Sequence, residues 1–84
     1  MKWYYITFRS VTLAQRGEAL LRRSGISCYL QRTPRWMEQR GCGYSLQVRR
    51  EIAARCVQLF QENGITYSRI YEKYDEGSAQ EVVL

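Results

Sequence analysis

Two stretches of the chain, "LAQRGEALLRRSGI" (residues 13–26) and "IAARCVQLFQENGI" (residues 52–65), are related by a shift of 39 residues. Their apolar positions share the spacing i, i+1, i+4, i+7, i+8, which is typical of a helix lying on a hydrophobic core. The next-to-last residue of each stretch is a glycine, Gly25 or Gly64, of the kind that closes a helix in the left-handed conformation. The repeat therefore predicts two equivalent amphipathic helices.

Alternating apolar residues before and after these helices predict strands. The inward sets are Tyr4, Ile6 and Phe8, then Ile26, Cys28 and Leu30, then Tyr44, Leu46 and Val48. A fourth strand, at about residues 68–73, has Ile70 as its clear inward residue. The order is βαββαβ, and right-handed crossovers would fold it into an α+β, ferredoxin-like sandwich. We expect a four-stranded antiparallel sheet with both helices on one face.

The other face of this sheet is expected to be open and aromatic. The opposite strand parity places there Trp3, Tyr5, Tyr29 and Tyr71, with Arg69 at the margin. A small chain that exposes such a patch usually covers it with a partner, so we expect a homodimer through this face. Stacking on nucleic-acid bases is the second option, because the third strand offers Ser45 and Gln47 there instead of aromatic rings.

Length and charge bound the class of protein. With 84 residues we expect one domain, residues 1–74, followed by a flexible acidic tail at 75–84. Thirteen basic and eight acidic residues give a net charge of +5, or +8 without the three acids of the tail. Such a surface attracts nucleic acid, an acidic protein or a small anion. The chain has neither a membrane-spanning apolar run nor a signal-peptide pattern, so we expect a cytoplasmic protein with reduced thiols.

The chain contains no histidine. This absence removes Cys-His and Ser-His nucleophile pairs, the usual general base and the commonest metal ligand. Cys28, Cys42 and Cys56 lie fourteen residues apart, and no C-x-x-C pair is present to start a zinc site or a redox couple. We therefore expect no metal site.

The three cysteines fall into two groups. Cys56 lies in the apolar stripe of the second helix and Cys28 shares the parity of its strand, so both are predicted to be core residues that behave as small hydrophobes. Cys42 stands between two glycines near the end of "RTPRWMEQRGCG" (residues 32–43). That segment is too long for a tight turn, and connections of this kind often carry function.

Two interpretations of Cys42 follow from its neighbours. Nearby Arg35 and Arg40, together with the exposed amides of a glycine turn, would favour the thiolate and lower a pKa that starts near ~8.5. Alternatively, Cys42 continues the parity of Tyr44 and points inward, and Gly41 and Gly43 serve a bulge or turn. Residue chemistry leaves both interpretations open.

The stretch "RGCGYSLQ" (residues 40–47) matches four of the eight positions in the third-strand signature of the RNA-recognition motif, which is also βαββαβ. In this chain Cys42 replaces a stacking aromatic residue. Ser45 and Gln47 stand where that motif has apolar inward residues. The strand phase is therefore opposite, and we regard the match as accidental.

Nearly the whole chain resembles a family of small proteins described as selenium/sulfur carrier-like. The segments that carry the resemblance are "YYITFRS" (4–10), "LLRRSGI" (20–26), "TPR" (33–35), the Cys-Gly pair at 42–43 followed by Ser45 and Leu46, and "ENGI" (62–65). The family usually has small hydroxyl residues before its Cys-Gly pair, whereas this chain has Arg40 and Gly41, and its loop is slightly longer.

The resemblance implies a carrier rather than a turnover enzyme, working without a cofactor. Cys42 would accept sulfur or selenium as a persulfide-type adduct from a donor such as a cysteine desulfurase-type protein. Its surroundings would be formed by Pro34, Arg35, Arg40, Gly41 and Gly43. The alternative is a module that binds nucleic acid or protein and in which Cys42 is structural; a redox sensor that uses Cys42 alone is a third hypothesis.

Overall fold

The computed structural model describes residues 2–33, 43–74 and 79–84, and shows an α+β fold of two helices and one antiparallel sheet. In chain order the elements are β1 (Lys2–Phe8), α1 (Val11–Arg23), β2 (Tyr29–Arg32), β3 (Tyr44–Arg49), α2 (Arg50–Glu62), β4 (Ile70–Tyr74) and β5 (Ala79–Val82). The strands lie side by side in the order β2-β3-β1-β4-β5. The first four strands and both helices agree with the predicted ferredoxin-like order.

Both helices end as the repeat predicts. Gly25 and Gly64 have positive φ angles of 78° and 68°. Behind each glycine the chain turns back, because the N–H of Ile26 donates to the carbonyl of Leu21 and the N–H of Ile65 to that of Phe60, each at 2.9 Å. This pattern satisfies carbonyls that the helix end would otherwise leave unpaired. The two stretches are therefore equivalent in their termini as well as in their apolar stripes.

The hydrophobic core lies between the helices and one face of the sheet. From the sheet it contains Tyr4, Ile6, Phe8, Leu46, Val48 and Ile70, which are the inward residues that strand parity predicts. Close approach of α1 depends on Gly17, since a Cβ at this position would lie 3.2 Å from side-chain carbons of Phe8, Leu46 and Phe60. The Phe8 and Phe60 rings meet edge to face at 5.7 Å beneath it.

Within residues 2–33, 43–74 and 79–84 the sheet has five strands, so the prediction of four was wrong. The additional strand, β5, falls within 75–84, the segment expected to be a flexible tail, and it pairs with β4. Two contacts hold it there: Val82 pairs with Ile70 and packs against the core, and Glu81 receives two hydrogen bonds from Arg69 at 2.9 and 3.0 Å. The division of the chain at residue 74 stays a prediction.

The sheet face opposite the helices, called the second face below, carries the expected aromatic residues. Not all of these residues are exposed there. Tyr29, Gln47, Tyr5, Tyr71 and Glu81 form one row across the five strands. Tyr5 and Tyr71 are directly opposite each other and only 8% and 7% exposed, whereas Tyr29 is 59% exposed. The expectation of an exposed aromatic patch was therefore wrong for the central pair, because these two long side chains pack together with the half-buried Trp3.

Candidate functional site

The β2–β3 ladder brings together the two ends of the segment that the sequence singles out. Arg32 pairs with Tyr44, and one residue further on the N–H of Thr33 donates to the carbonyl of Gly43 at 2.8 Å. Residues 33 and 43 therefore lie side by side where the chain enters and leaves residues 34–42. We call this end of the ladder, residues 32–33 and 43–45, the stem of the candidate site.

Most of the predicted site residues lie outside the residues that the structure describes. Pro34, Arg35, Arg40, Gly41 and Cys42 belong to this group. Their proposed roles stay predictions.

Of the predicted loop residues, only Gly43 is within the described part of the chain, where it is half-buried. Its carbonyl is the acceptor that closes the stem.

Three hydroxyl side chains share the second sheet face at this end of the sheet. Thr7 is directly opposite Ser45 on β1 and β3, and Thr33 extends β2 on the other side of β3. All three residues are buried, with exposed fractions of 0% for Thr7 and Ser45 and 7% for Thr33. A buried hydroxyl normally has a hydrogen-bond partner, because leaving it unpaired costs free energy.

Only one of the three hydroxyls is paired. The Thr7 hydroxyl donates to the carbonyl of Arg69 at 3.2 Å and accepts from the backbone N–H of Arg69 at 3.1 Å. In the described parts of the chain, Thr33 Oγ1 and Ser45 Oγ are buried side-chain atoms without a hydrogen-bond partner. These two atoms therefore retain the capacity to donate to a ligand at the stem.

A cation also lies at the stem. The Arg32 guanidinium carbon is 5.4 Å from the centre of the Tyr44 ring, within the range of a cation–π contact. Strand alternation puts Arg32 and Tyr44 on the sheet face that carries the helices, opposite the side chains of Thr33 and Ser45, so this charge does not face the two hydroxyls. Sequence reasoning did not single out Arg32; its direct pairing with Tyr44 across the ladder becomes visible only with the strand register.

Cys28 and Cys56 are core residues, as their sequence positions predict. Their exposed fractions are 2% and 0%, and neither forms a disulfide. Burial raises the pKa of the Cys28 thiol, and the nearby positive charge of Arg22 partly offsets this effect. Burial raises the pKa of the Cys56 thiol to about 11, and the charge of Cys28 adds to the shift. Since the thiolate is the reactive form, both cysteines are expected to be unreactive at neutral pH.

A second buried polar cluster lies towards the opposite end of β1. The Tyr4 hydroxyl donates to Glu72 Oε2 at 2.8 Å, and Lys2 Nζ lies 3.4 Å from Glu72 Oε1. The hydrogen bond to the Glu72 carboxylate and burial raise the pKa of Tyr4. The carboxylate has partners on both oxygens, so we interpret this cluster as structural.

Across residues 2–33, 43–74 and 79–84, no three metal-ligating side chains of His, Cys, Asp or Glu are grouped together. Within the same ranges, no helix is both long and apolar enough to cross a membrane.

Comparison with known protein families gives a match. Residues 3–72 match the model of a family described as "Putative Se/S carrier protein-like". This range covers both helices, β1 to β3 and the first part of β4, including the stem of the candidate site. A search of curated proteins and a search of solved structures gave no match.

The buried thiol of Cys56 should make the protein less stable in alkali. Its pKa rises from 9.0 to about 11 on folding, so the folded state keeps a proton that the unfolded chain loses. This contribution is complete below about pH 9 and is lost as the pH rises towards about pH 11. A shift of this size corresponds to at most about 3 kcal/mol. Urea unfolding at increasing pH should show the loss.

Cys56→Ala is the control for this pH dependence. The variant should be less stable at neutral pH because it leaves a cavity, but its stability should fall less between about pH 9 and about pH 11. An equally steep fall in the variant would contradict the assignment to Cys56.

Removing each of the three clustered hydroxyls should change the stability of the protein in different ways. Thr7→Val should destabilise the protein by about 1 to 3 kcal/mol, because the backbone N–H of Arg69 loses its bond to the Thr7 hydroxyl, while the carbonyl of Arg69 still accepts from the backbone N–H of Thr7. Thr33→Val and Ser45→Ala each remove an unpaired buried hydroxyl, so they should be neutral or stabilising. Urea unfolding at neutral pH measures all three, and a loss at Thr33 equal to that at Thr7 would show that the Thr33 hydroxyl is already paired.

Proposed function

Since the chain belongs to the family described as "Putative Se/S carrier protein-like", we propose that it carries sulfur or selenium as a covalent adduct of Cys42. The proposal describes a carrier rather than a turnover enzyme, with the cysteine thiol as the only reactive group. A cysteine desulfurase-type protein would supply the chalcogen.

The observation that supports Cys42 as the carrier thiol is the state of the other two cysteines. Cys28 and Cys56 lie in the core, with pKa values raised by burial, so neither is available to a donor protein. Cys42 is the remaining cysteine of the chain. It is bonded directly to Gly43, whose carbonyl closes the stem by accepting from the N–H of Thr33.

The transfer needs only thiol–persulfide exchange. The Cys42 thiolate attacks the outer sulfur of a persulfide on the donor, and a sulfur–sulfur bond forms while the donor's own sulfur–sulfur bond breaks. The electron pair of the broken bond leaves with the donor as its thiolate. Delivery is the reverse step, in which an acceptor thiolate attacks the outer sulfur and restores the Cys42 thiolate. Atoms and electrons balance without an external oxidant, as in thiol–disulfide exchange.

Base stacking on the second sheet face has less support. A ring that stacks on a nucleobase must expose its face, whereas Tyr5 and Tyr71 are buried against each other. Gln47 stands between Tyr29 and Tyr5 in the row across the sheet. The buried pair therefore gives base stacking little support, and the alternative of a module that binds nucleic acid or protein stays a prediction.

The expected homodimer through the second sheet face stays a prediction. A contact between two copies there would use the exposed Tyr29 ring and the half-buried Trp3 ring, because Tyr5 and Tyr71 are covered within one chain. The carrier chemistry proposed for Cys42 does not require a second copy.

Loading with sulfur tests the proposed function. The protein is incubated with a cysteine desulfurase, its pyridoxal cofactor and cysteine, and the intact mass is measured without reductant. Wild type should gain the mass of one sulfur atom, because the Cys42 thiolate is proposed to accept a persulfide sulfur. Cys42→Ser should gain none.

Two further variants serve as matched controls. Cys28→Ala and Cys56→Ala each remove a buried thiol and should load like wild type, provided that circular dichroism shows them folded. Absence of the adduct on wild type, or an equal adduct on Cys42→Ser, would contradict the carrier function.

A further inference from the structure

We propose that the groove between α1 and the end of α2 is a docking site for an acidic segment of a partner protein, which inserts an apolar side chain flanked by carboxylates. We call it the helix groove. Its volume is about 240 Å³. One stripe of α1 and two residues that follow α2 line it: Arg16, Ala19, Leu20, Arg23, Asn63 and Ile65. The inference goes beyond the carrier function, because none of these residues belongs to the stem or to the segment that contains Cys42.

The floor of the helix groove is apolar. Leu20 and Ile65 are 6% and 7% exposed, so their side chains are held in the core and present a small apolar surface to the groove. Ala19 is exposed, and its single methyl group leaves the space above them unfilled. An apolar side chain of a partner would be removed from water in this space, which favours binding.

Two arginines lie at the ends of this floor. Arg16 and Arg23 are exposed and seven residues apart on α1, a spacing of about 10 Å along the helix axis. Within residues 2–33, 43–74 and 79–84, neither side chain has an ion-pair or hydrogen-bond partner. Their neighbour Arg22 differs, since it pairs with Glu18 and donates to the carbonyl of Cys28 at 3.0 Å. Both ends of the helix groove therefore offer a positive charge to a ligand.

The size and charge spacing of the helix groove favour a peptide over a small molecule. Pockets that enclose a small molecule usually measure roughly 300 to 1,000 Å³, and this groove is smaller. An extended peptide places residues i−2, i and i+2 on one side, with the outer two roughly 13 Å apart. Flexible carboxylate and arginine side chains can close the difference from the arginine spacing. Acidic residues at i−2 and i+2 can therefore pair with both arginines while an apolar residue at i fills the floor.

The lining also favours an acidic peptide over nucleic acid. Of the lining residues in the described parts of the chain, none is aromatic, so no ring is present on which a base could stack. None of them is acidic either. Glu62, which precedes Asn63, accepts a hydrogen bond from the Gln58 amide at 3.2 Å and does not line the groove. An acidic segment would therefore meet two positive charges at the lining and no opposing negative charge there.

An NMR titration tests this inference. Isotope-labelled protein is titrated at low salt with a capped pentapeptide that has leucine at its centre, a serine on either side of it and glutamate at both ends. Amide shifts should change around residues 16–23 and 63–65. Replacing the glutamates by glutamine should weaken binding about two- to fivefold for each lost ion pair. Replacing leucine by glycine should weaken it about tenfold, the factor for leaving two methylene groups unburied.

Variants of the helix groove have a matched control. Arg16→Gln/Arg23→Gln should weaken binding of the glutamate peptide as much as the glutamine peptide is weakened on wild type. Arg9→Gln/Arg55→Gln removes the same two charges from exposed positions outside the lining and should bind like wild type. Ala19→Leu fills the groove with a good helix former and should reduce binding to the level of the glycine peptide. All five positions are exposed, so each variant should fold, and its NMR spectrum checks this.

Three results would overturn the inference. The first is a titration without shift changes at the helix groove. The second is equal weakening by the two double variants, which would mean general attraction of the peptide to a basic surface. The third is a short oligothymidylate that binds the same residues more tightly than the peptide, which would assign the groove to nucleic acid. The loading of Cys42 with sulfur is measured separately, so each proposal can fail without the other.

Discussion

The two-residue alternation of β3 is the constraint on which the fold and the candidate site both depend. Leu46 and Val48 are completely buried under the helices, so a slip of one residue would move both to the opposite face. The same alternation puts Ser45 on the second face, directly opposite Thr7. One strand thus supplies the centre of the core, a buried hydroxyl and the end of the segment that contains Cys42.

The site combines a rigid stem with the chemistry of a single thiol. The hydrogen bond between Thr33 and Gly43 fixes where the chain leaves and re-enters the sheet, and the core on the other face holds β3 in register. Two cysteines are buried in that core, where their raised pKa values keep them protonated. The fold therefore separates structural thiols from the one thiol that is proposed to react.

Sequence patterns predict most of this architecture, and the exceptions have physical reasons. The repeat and the strand parities predict the helices, the strand order and the buried cysteines. They do not predict β5, because its short apolar run follows an acidic stretch that is typical of a flexible tail. Parity placed Tyr5 and Tyr71 on the second face but could not show that they cover each other. Thr33 and Ser45 were missed as donors because their lack of partners emerges only once the strands are paired.

The most direct test of the account is the native-state alkylation of the three cysteines. The protein is treated with iodoacetamide without denaturant, and the modification of each cysteine is followed over time by peptide mass mapping. We predict that Cys42 reacts at least as fast as the thiol of an unstructured peptide, while Cys28 and Cys56 react only upon unfolding. Equal rates at all three cysteines, or protection of Cys42 together with the core thiols, would contradict the account.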